Sequence, residues 1–298
     1  MEASLVSQEH AALEVASMSL VESKLLTQQL LFVLCMSFNA LADKHQELCR
    51  GTHCGTNNLI CQYLKKLSSE CLPGTKLINL APHQQQILHL LNNYRNKVAA
   101  GYTKTLLPAA RMARMDWSEE LENLATIYVA QCATIIQPCM SSPQYTTISS
   151  IYDGVSFAGI YRSSLLPMLL EETIKVWFED TRFVTRSMVL QLPTSLSKKT
   201  MRQVALLMTD RNSHVGCSGI FFVRGISNNF RLVCTFATDL MIDKPIYNVS
   251  SPPGTHCARQ DDSYENLCAL GEQYNNHEPY VEMRMLDSPR LQLFAALM

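Results

Sequence analysis

Pro108-Ala109-Ala110-Arg111-Met112-Ala113-Arg114-Met115-Asp116-Trp117-Ser118-Glu119-Glu120-Leu121 contains a loop-to-helix transition from which the rest of the chain can be read outward. Ser118 is a natural helix N-cap, because its hydroxyl can accept from a free amide in the first turn. Glu119 and Glu120 follow, where the helix dipole favours carboxylates. Leu121, Leu124, Ala125, Tyr128 and Cys132 then recur on one face, the spacing of an amphipathic helix. That face turns inward and carries Cys132 to the core, well placed for a bridge. On the N-terminal side, Ile87, Leu91, Tyr94 and Val98 repeat at helical spacing and Gly101 ends the run. On the C-terminal side a third helix is predicted over roughly 164–179, with Leu166, Leu169, Leu170, Ile174 and Trp177-Phe178 as its apolar residues. Residues 133–163 hold no clean period and read mostly as loop.

The region 203–238 changes character. Val215 to Val223 and Phe230 to Phe236 are β-rich and flank Arg224-Gly-Ile-Ser-Asn-Asn229, a hairpin signal with a longer turn. Cys217 and Cys234 fall on opposing strands and could pair. Helices segregated from an antiparallel hairpin indicate an α+β fold. Residues 43–77 are rich in Cys, Gly, Asn and Thr and read as a loop-rich, Cys-rich lead-in; residues 78–245 form the main domain. Residues 246–298 read as a loop-like tail in which Cys257 and Cys268 close a short segment.

The chain has 298 residues with 47% apolar and 17% charged side chains and a formal net charge of −1. This is enough apolar material for a substantial core. The balance of charge points to neither nucleic acid nor an anionic membrane as partner. Near the N-terminus, Lys24 precedes Leu25, Leu26 and the apolar run Leu30 to Met36, and Ala40-Leu41-Ala42 supplies small residues at the positions of a signal-peptidase site. Residues 1–42 are therefore expected to be a signal peptide, with Met18 as an alternative start and a buried helix as the competing reading. The run is too short to span a bilayer comfortably, and no membrane span is expected in the mature chain. Removing Cys35 with the signal leaves ten of the 11 cysteines, an even number suited to a fully oxidised secreted protein. Asn248-Val249-Ser250 is a glycosylation sequon, which places Asn248 as a candidate acceptor.

Leu91-Asn92-Asn93-Tyr94-Arg95 resembles the H-N-x-x-R helix of the CAP superfamily, the cysteine-rich secretory, antigen-five and pathogenesis-related proteins, with Leu91 in place of the histidine. The 108–121 stretch resembles the family's P-A-x-x-M…W…E-L block. Cys132 and Cys139 look like its C-x(6)-C pair and Trp177-Phe178 like its tryptophan helix. His214-Val-Gly-Cys217 and Leu232-Val-Cys-Thr-Phe-Ala237 resemble its V-G-C and L-V-C strands. The likeness is to the insect antigen-five-like, venom-allergen-like branch and covers nearly all of the mature chain. It implies an α-β-α sandwich with a small antiparallel sheet between helical layers. It also implies bridges Cys49–Cys61, Cys54–Cys139, Cys71–Cys132 and Cys217–Cys234, which leaves Cys257–Cys268 as the remaining pair.

Many members of this family line a central cleft with two His and two acidic residues able to hold a divalent metal. Counting from the nearest anchors carries those positions onto Ile136, Ile160, Asp180 and Gln203. One ionisable group of four remains. No metal, cofactor or catalytic residue is therefore expected, and a lone Asp180 at a helix end is more often solvated or capping. Ser218, between Cys217 and Gly219, has no nearby base and reads as a sheet serine; His214 reads as structural. No H-E-x-x-H, G-x-S-x-G, P-loop or G-x-G-x-x-G occurs. The expectation is a secreted, extracellular, non-enzymatic monomer that binds a protein or a lipid-like ligand. The alternatives are a metal-dependent hydrolase or protease, and a disulfide-rich inhibitor or channel effector.

Overall fold

Six helices and five strands are formed by the residues that the computed structural model describes, namely 28–29, 53–63, 65–101, 106–132, 138–196 and 199–276. The expected signal segment lies outside the described residues, apart from the exposed helical pair Gln28 and Gln29. In chain order the elements are α1 Leu59–Gln62, β1 Lys76–Ile78, α2 Gln84–Ala99, β2 Asp116–Trp117 and α3 Glu119–Val129. They continue with β3 Ser149–Phe157, α4 Leu166–Glu179, α5 Arg186–Leu190, α6 Lys199–Met208, β4 His214–Arg224 and β5 Ser227–Phe236.

The strands form one sheet in the order β1-β4-β5-β3, with β2 also beside β4. All pairings are antiparallel except β2 with β4. Helix α3 covers one face: Leu121, Leu124 and Tyr128 pack with Ile220 and Val233, and Leu59 of α1 joins them. Helices α2, α4 and α6 cover the other, where Ile87, Leu91, Trp177, Phe178 and Val204 meet Phe230, Leu232 and Phe236. The fold is an α-β-α sandwich of the α+β class, because both faces of a mostly apolar sheet must be buried.

The Ser118 cap forms as expected: its Oγ accepts from the Leu121 amide at 3.3 Å. Gly216 lets α3 lie directly on the sheet, since a Cβ there would sit 2.0 Å from the Glu122 backbone nitrogen. Four bridges tie the sandwich: Cys54–Cys139, Cys71–Cys132, Cys217–Cys234 and Cys257–Cys268. Cys61 is also disulfide-bonded, but Cys49 lies outside the described residues.

Three elements differ from expectation. Residues 149–157 are a nine-residue strand rather than loop; Ser149, Ser150, Asp153 and Gly154 blunt its alternation, and it pairs only with β5 at the sheet edge. Helix α6 is an added helix, burying Met201, Val204, Ala205 and Met208 at helical spacing. The β4–β5 turn is tighter than predicted. Arg224 pairs with Ser227, leaving Gly225-Ile226 as a two-residue turn, with Gly225 at φ 60°. A left-handed glycine at that position matches the twist of the flanking strands.

Candidate functional site

Of the positions carried over from sequence, Asp180 and Gln203 lie on elements that meet helix α2, which carries Leu91–Arg95. Asn92 brackets Met115, its Nδ2 donating to the Met115 carbonyl at 2.9 Å and its Oδ1 accepting from the Met115 amide at 2.8 Å. Arg95 is wholly buried. Its guanidinium donates to the carbonyls of Ala113, Leu207, Thr209 and Asp210 at 2.6–3.3 Å. Burial lowers its pKa to about 10, so it stays charged at neutral pH, a cation at the C-terminal end of α6. The Tyr94 ring stacks on Phe178 at 3.4 Å, and its hydroxyl donates to the Phe178 carbonyl at 2.7 Å. These residues set where α4 and α6 end; they make no catalytic constellation.

Gln203 lies on α6 and is 5% exposed, and its Nε2 has no hydrogen-bond partner among the described residues. Asp180 begins the 3-10 turn that follows α4, and that turn packs on α6. The structure therefore brings the Asp180 and Gln203 elements together. Ile136 lies outside the described residues. Ile160 does not join them. It sits beyond the C-terminal end of β3, 79% exposed, whereas the start of that strand is on the cleft side. Nine strand residues separate the two ends by about 26 Å. The expectation for Ile160 is corrected accordingly. The serines that open β3, Ser149 and Ser150, line a cavity of about 300 Å³ together with His53, Met140, Ile148, Arg202 and Asp239.

Arg202, one position before Gln203, grips Asp239 with one nitrogen on both carboxylate oxygens, at 2.7 and 2.8 Å. Ser149 Oγ donates to the Thr238 carbonyl at 2.7 Å. The cavity thus presents an ion pair, serine hydroxyls and apolar Met140 and Ile148, with His53 at its edge. A guanidinium seated on the carboxylate opposes a divalent cation and occupies the carboxylate oxygens that could bind one. Arg202 and Asp239 were not singled out in the sequence, although Arg202 adjoins Gln203, one of the positions carried over from the resemblance.

Ser218 is buried on β4 opposite Val233. Elsewhere, the Ser213 Oγ and His214 Nδ1 lie 2.9 Å apart, with the Asn276 amide donating to Ser213 at 3.1 Å. They line a polar cavity of about 370 Å³ with Arg114, Asp116, Tyr145 and Glu272. Burial pushes the His214 pKa down against the raising influence of Asp116. The contact runs between neighbours in sequence and anchors the tail. Among the described residues, Cys257, Cys268 and Glu272 place ligand atoms within 4.8 Å of one another, but both sulfurs are joined in a disulfide. A disulfide offers no thiolate for a metal. The side chain of Asn248 is exposed.

The family model described as "CAP: Cysteine-rich secretory protein family" matches residues 88–236. Similar proteins include Tabinhibitin 2 of Tabanus yao, 26% identical over 216 residues that cover 71% of this chain and 82% of that protein. Venom allergen-1 of Aedes aegypti is 27% identical over 232 residues, covering 76% of this chain and 87% of that protein. Among solved structures, the one described as "Crystal structure of NaASP2 with Zn2+" superposes with a TM-score of 0.49 at 22% identity, covering 67% of this chain and all of that one.

Proposed function

The chain belongs to the cysteine-rich secretory protein (CAP) family, and from that premise we propose that it is an exported recognition protein whose central cleft binds without metal and without catalysis. The observation that carries this reading is the Arg202–Asp239 clamp in the cleft, beside the buried amide of Gln203. A carboxylate already held by two charge-assisted hydrogen bonds is a poor metal ligand and a poor general base. Similarity to a protein named a venom allergen supports export, as do the bridges of the described residues. Among the described residues no helix is long and apolar enough to cross a membrane. The occupant is an extracellular protein or a small lipid-like molecule whose polar end meets Arg202 and Asp239 and whose apolar part lies toward Met140 and Ile148. Asn248, exposed on the tail, is the candidate glycan acceptor.

Calorimetric titration with Zn²⁺ tests the central point. The unmodified protein is expected to show no saturable one-to-one site at micromolar concentration. The Ile136→His/Gln203→His variant is the control, because two neutral imidazoles facing one another would create a site. Tight binding by the unmodified protein overturns the reading and points to His45, His53, His256 or His277 as ligands. Mass spectrometry of lipid and protein captured with the chain from its native secretion identifies the occupant.

A further inference from the structure

We propose that the end of the sheet formed by the β4–β5 turn is a second interaction surface, which docks on an anionic phospholipid bilayer. It lies apart from the cleft and does not depend on what the cleft holds. Ile226 occupies the apex of the two-residue turn and is 98% exposed, and Val223 beside it is half exposed. Asn228 donates its side-chain amide to the Gly159 carbonyl, which brings the bend carrying Ile160 alongside the turn. Tyr161 of the same bend stacks on Phe221 at 4.2 Å. On the other side β1 delivers Lys76 opposite Phe221 and Leu77 opposite Ile220. Of the ten large apolar side chains exposed among the described residues, four belong to this end: Leu77, Ile160, Val223 and Ile226. An aliphatic side chain at a projecting turn apex packs nothing within the molecule, and clustered exposed apolar groups mark an interaction site.

The charges of this end select the partner. Lys76, Arg162 and Arg224 are all exposed. None enters an ion pair among the described residues. The three segments that build the end, 73–79, 156–165 and 221–229, contain no Asp or Glu. The chain's near-neutral total thus conceals a local cationic rim around an aliphatic tip. A projecting apex needs a soft surface into which Ile226 and Ile160 can sink, while the cations remain at the headgroups. An anionic bilayer supplies both, by burying apolar side chains at its boundary and attracting basic groups at its surface.

The test is sedimentation of the full chain with phosphatidylcholine vesicles with and without phosphatidylserine. Binding is expected to the anionic vesicles, to weaken as salt is raised, and to be weak on phosphatidylcholine alone. Ile226→Asp should lower the affinity about tenfold or more, and Arg224→Ser about fivefold, the effect of one basic group near the surface. Both positions are exposed, so unchanged thermal unfolding of the variants serves as the folding control. The proposal is overturned if the unmodified protein leaves anionic vesicles unbound at low salt, or if Ile226→Asp binds them equally well. It is also overturned if the protein self-associates in sedimentation velocity and Ile226→Asp abolishes that, because the tip then joins copies of the chain.

Discussion

Residues 53–72 and residues 246–276 flank the same sandwich and both carry disulfides, but they are held by different means. The lead-in buries little: Leu59, Asn58 and Cys54 are its buried residues. Its backbone reaches the body through Leu59 to Cys139 and Ser68 to Ala130, each at 2.9 Å. Two bridges carry the rest, Cys54–Cys139 and Cys71–Cys132, which span 85 and 61 positions. The tail instead places Ile246, Tyr247 and Leu267 in the main core. It runs along 108–114, with backbone bonds joining Ala110 to Asn248, Ser250 to Pro108, Gly254 to Ala109, His256 to Ala110, and Cys268 to Met112 and Arg114. Its bridge spans only 11 positions. Cross-links between distant positions hold a segment that has little apolar surface, whereas a segment with core residues and a backbone partner depends less on its bridge.

The largest expected effect sets the two regions against each other. A Cys71→Ser/Cys132→Ser variant should lose about 4 kcal/mol of stability, from the loop it closes. A Cys257→Ser/Cys268→Ser variant should lose about 3 kcal/mol on the same relation, and the tail should stay docked. Denaturant unfolding of the two variants measures the difference. A greater loss from the tail variant would mean that Cys268, which is fully buried, contributes through packing more than through loop closure. Leu267→Ala should cost about 3 kcal/mol as a core truncation, similar to the whole bridge beside it. Were it nearly silent, the tail would be bridge-held like the lead-in.

Next in size is the tail's ion pair. Arg114 donates to Asp261 at 2.8 Å, and the amides of Ser263 and Tyr264 donate to the other carboxylate oxygen at 2.9 and 3.0 Å. Burial pushes the Asp261 pKa up, but these three donors together hold it below the usual value. Asp261→Asn should therefore cost about 2 kcal/mol at neutral pH, typical of hydrogen bonds to a charged group. The wild-type contribution is present above the ordinary carboxylate range and is lost as pH falls through the lowered pKa. Acid unfolding followed with both proteins should show that dependence removed in the variant. An unchanged acid midpoint would place the tail's acid sensitivity elsewhere.

These regions also differ in how far the sequence revealed them. Periodic apolar faces made α2, α3 and α4 legible, and Ser118 marked its helix start because a cap has a definite side-chain chemistry. The tail looked like loop because its docking is through backbone bonds to 108–114, and backbone pairing leaves no residue-type signal. The expected boundary at 245/246 has no counterpart in the core, which takes Ile246 and Tyr247 directly. Strand β3 was missed because five of its nine residues are Ser, Asp or Gly. The cleft was harder still. The cleft positions were counted from distant anchors, and the count that started at Gly159 led to Ile160, an exposed residue on a bend beyond β3. Asp180 and Gln203, counted from the tryptophan and cysteine anchors, fall on elements that pack on one another, and their role in a cleft is part of the proposal.

The smallest predicted effect separates the regions by pH near neutrality. His214 is partly buried at the start of β4 in the cavity that the tail closes, facing Ser213, Asp116 and Tyr145, with Arg114 and Glu272 also lining it. Burial lowers its pKa from the ordinary value of about 6.5, although Asp116 pulls the other way. The unfolded chain therefore binds more protons than the folded one once pH drops to that value. Stability should then decline as pH falls from about 6.5 through the lowered folded pKa, and should be fully retained above it. His214→Gln removes the titration while keeping a side chain able to hydrogen-bond Ser213. Thermal unfolding between neutral and mildly acidic pH should fall less steeply for the variant than for the wild type, with the two curves converging above the histidine range. Hydrogen exchange localises the effect: protection of the 267–276 amides should weaken first on acidification, while that of the lead-in amides Leu59 and Ser68 holds. Equal loss in both regions would mean that the histidine acts on the whole sandwich, and that the tail is no more separable from the core than α3 is.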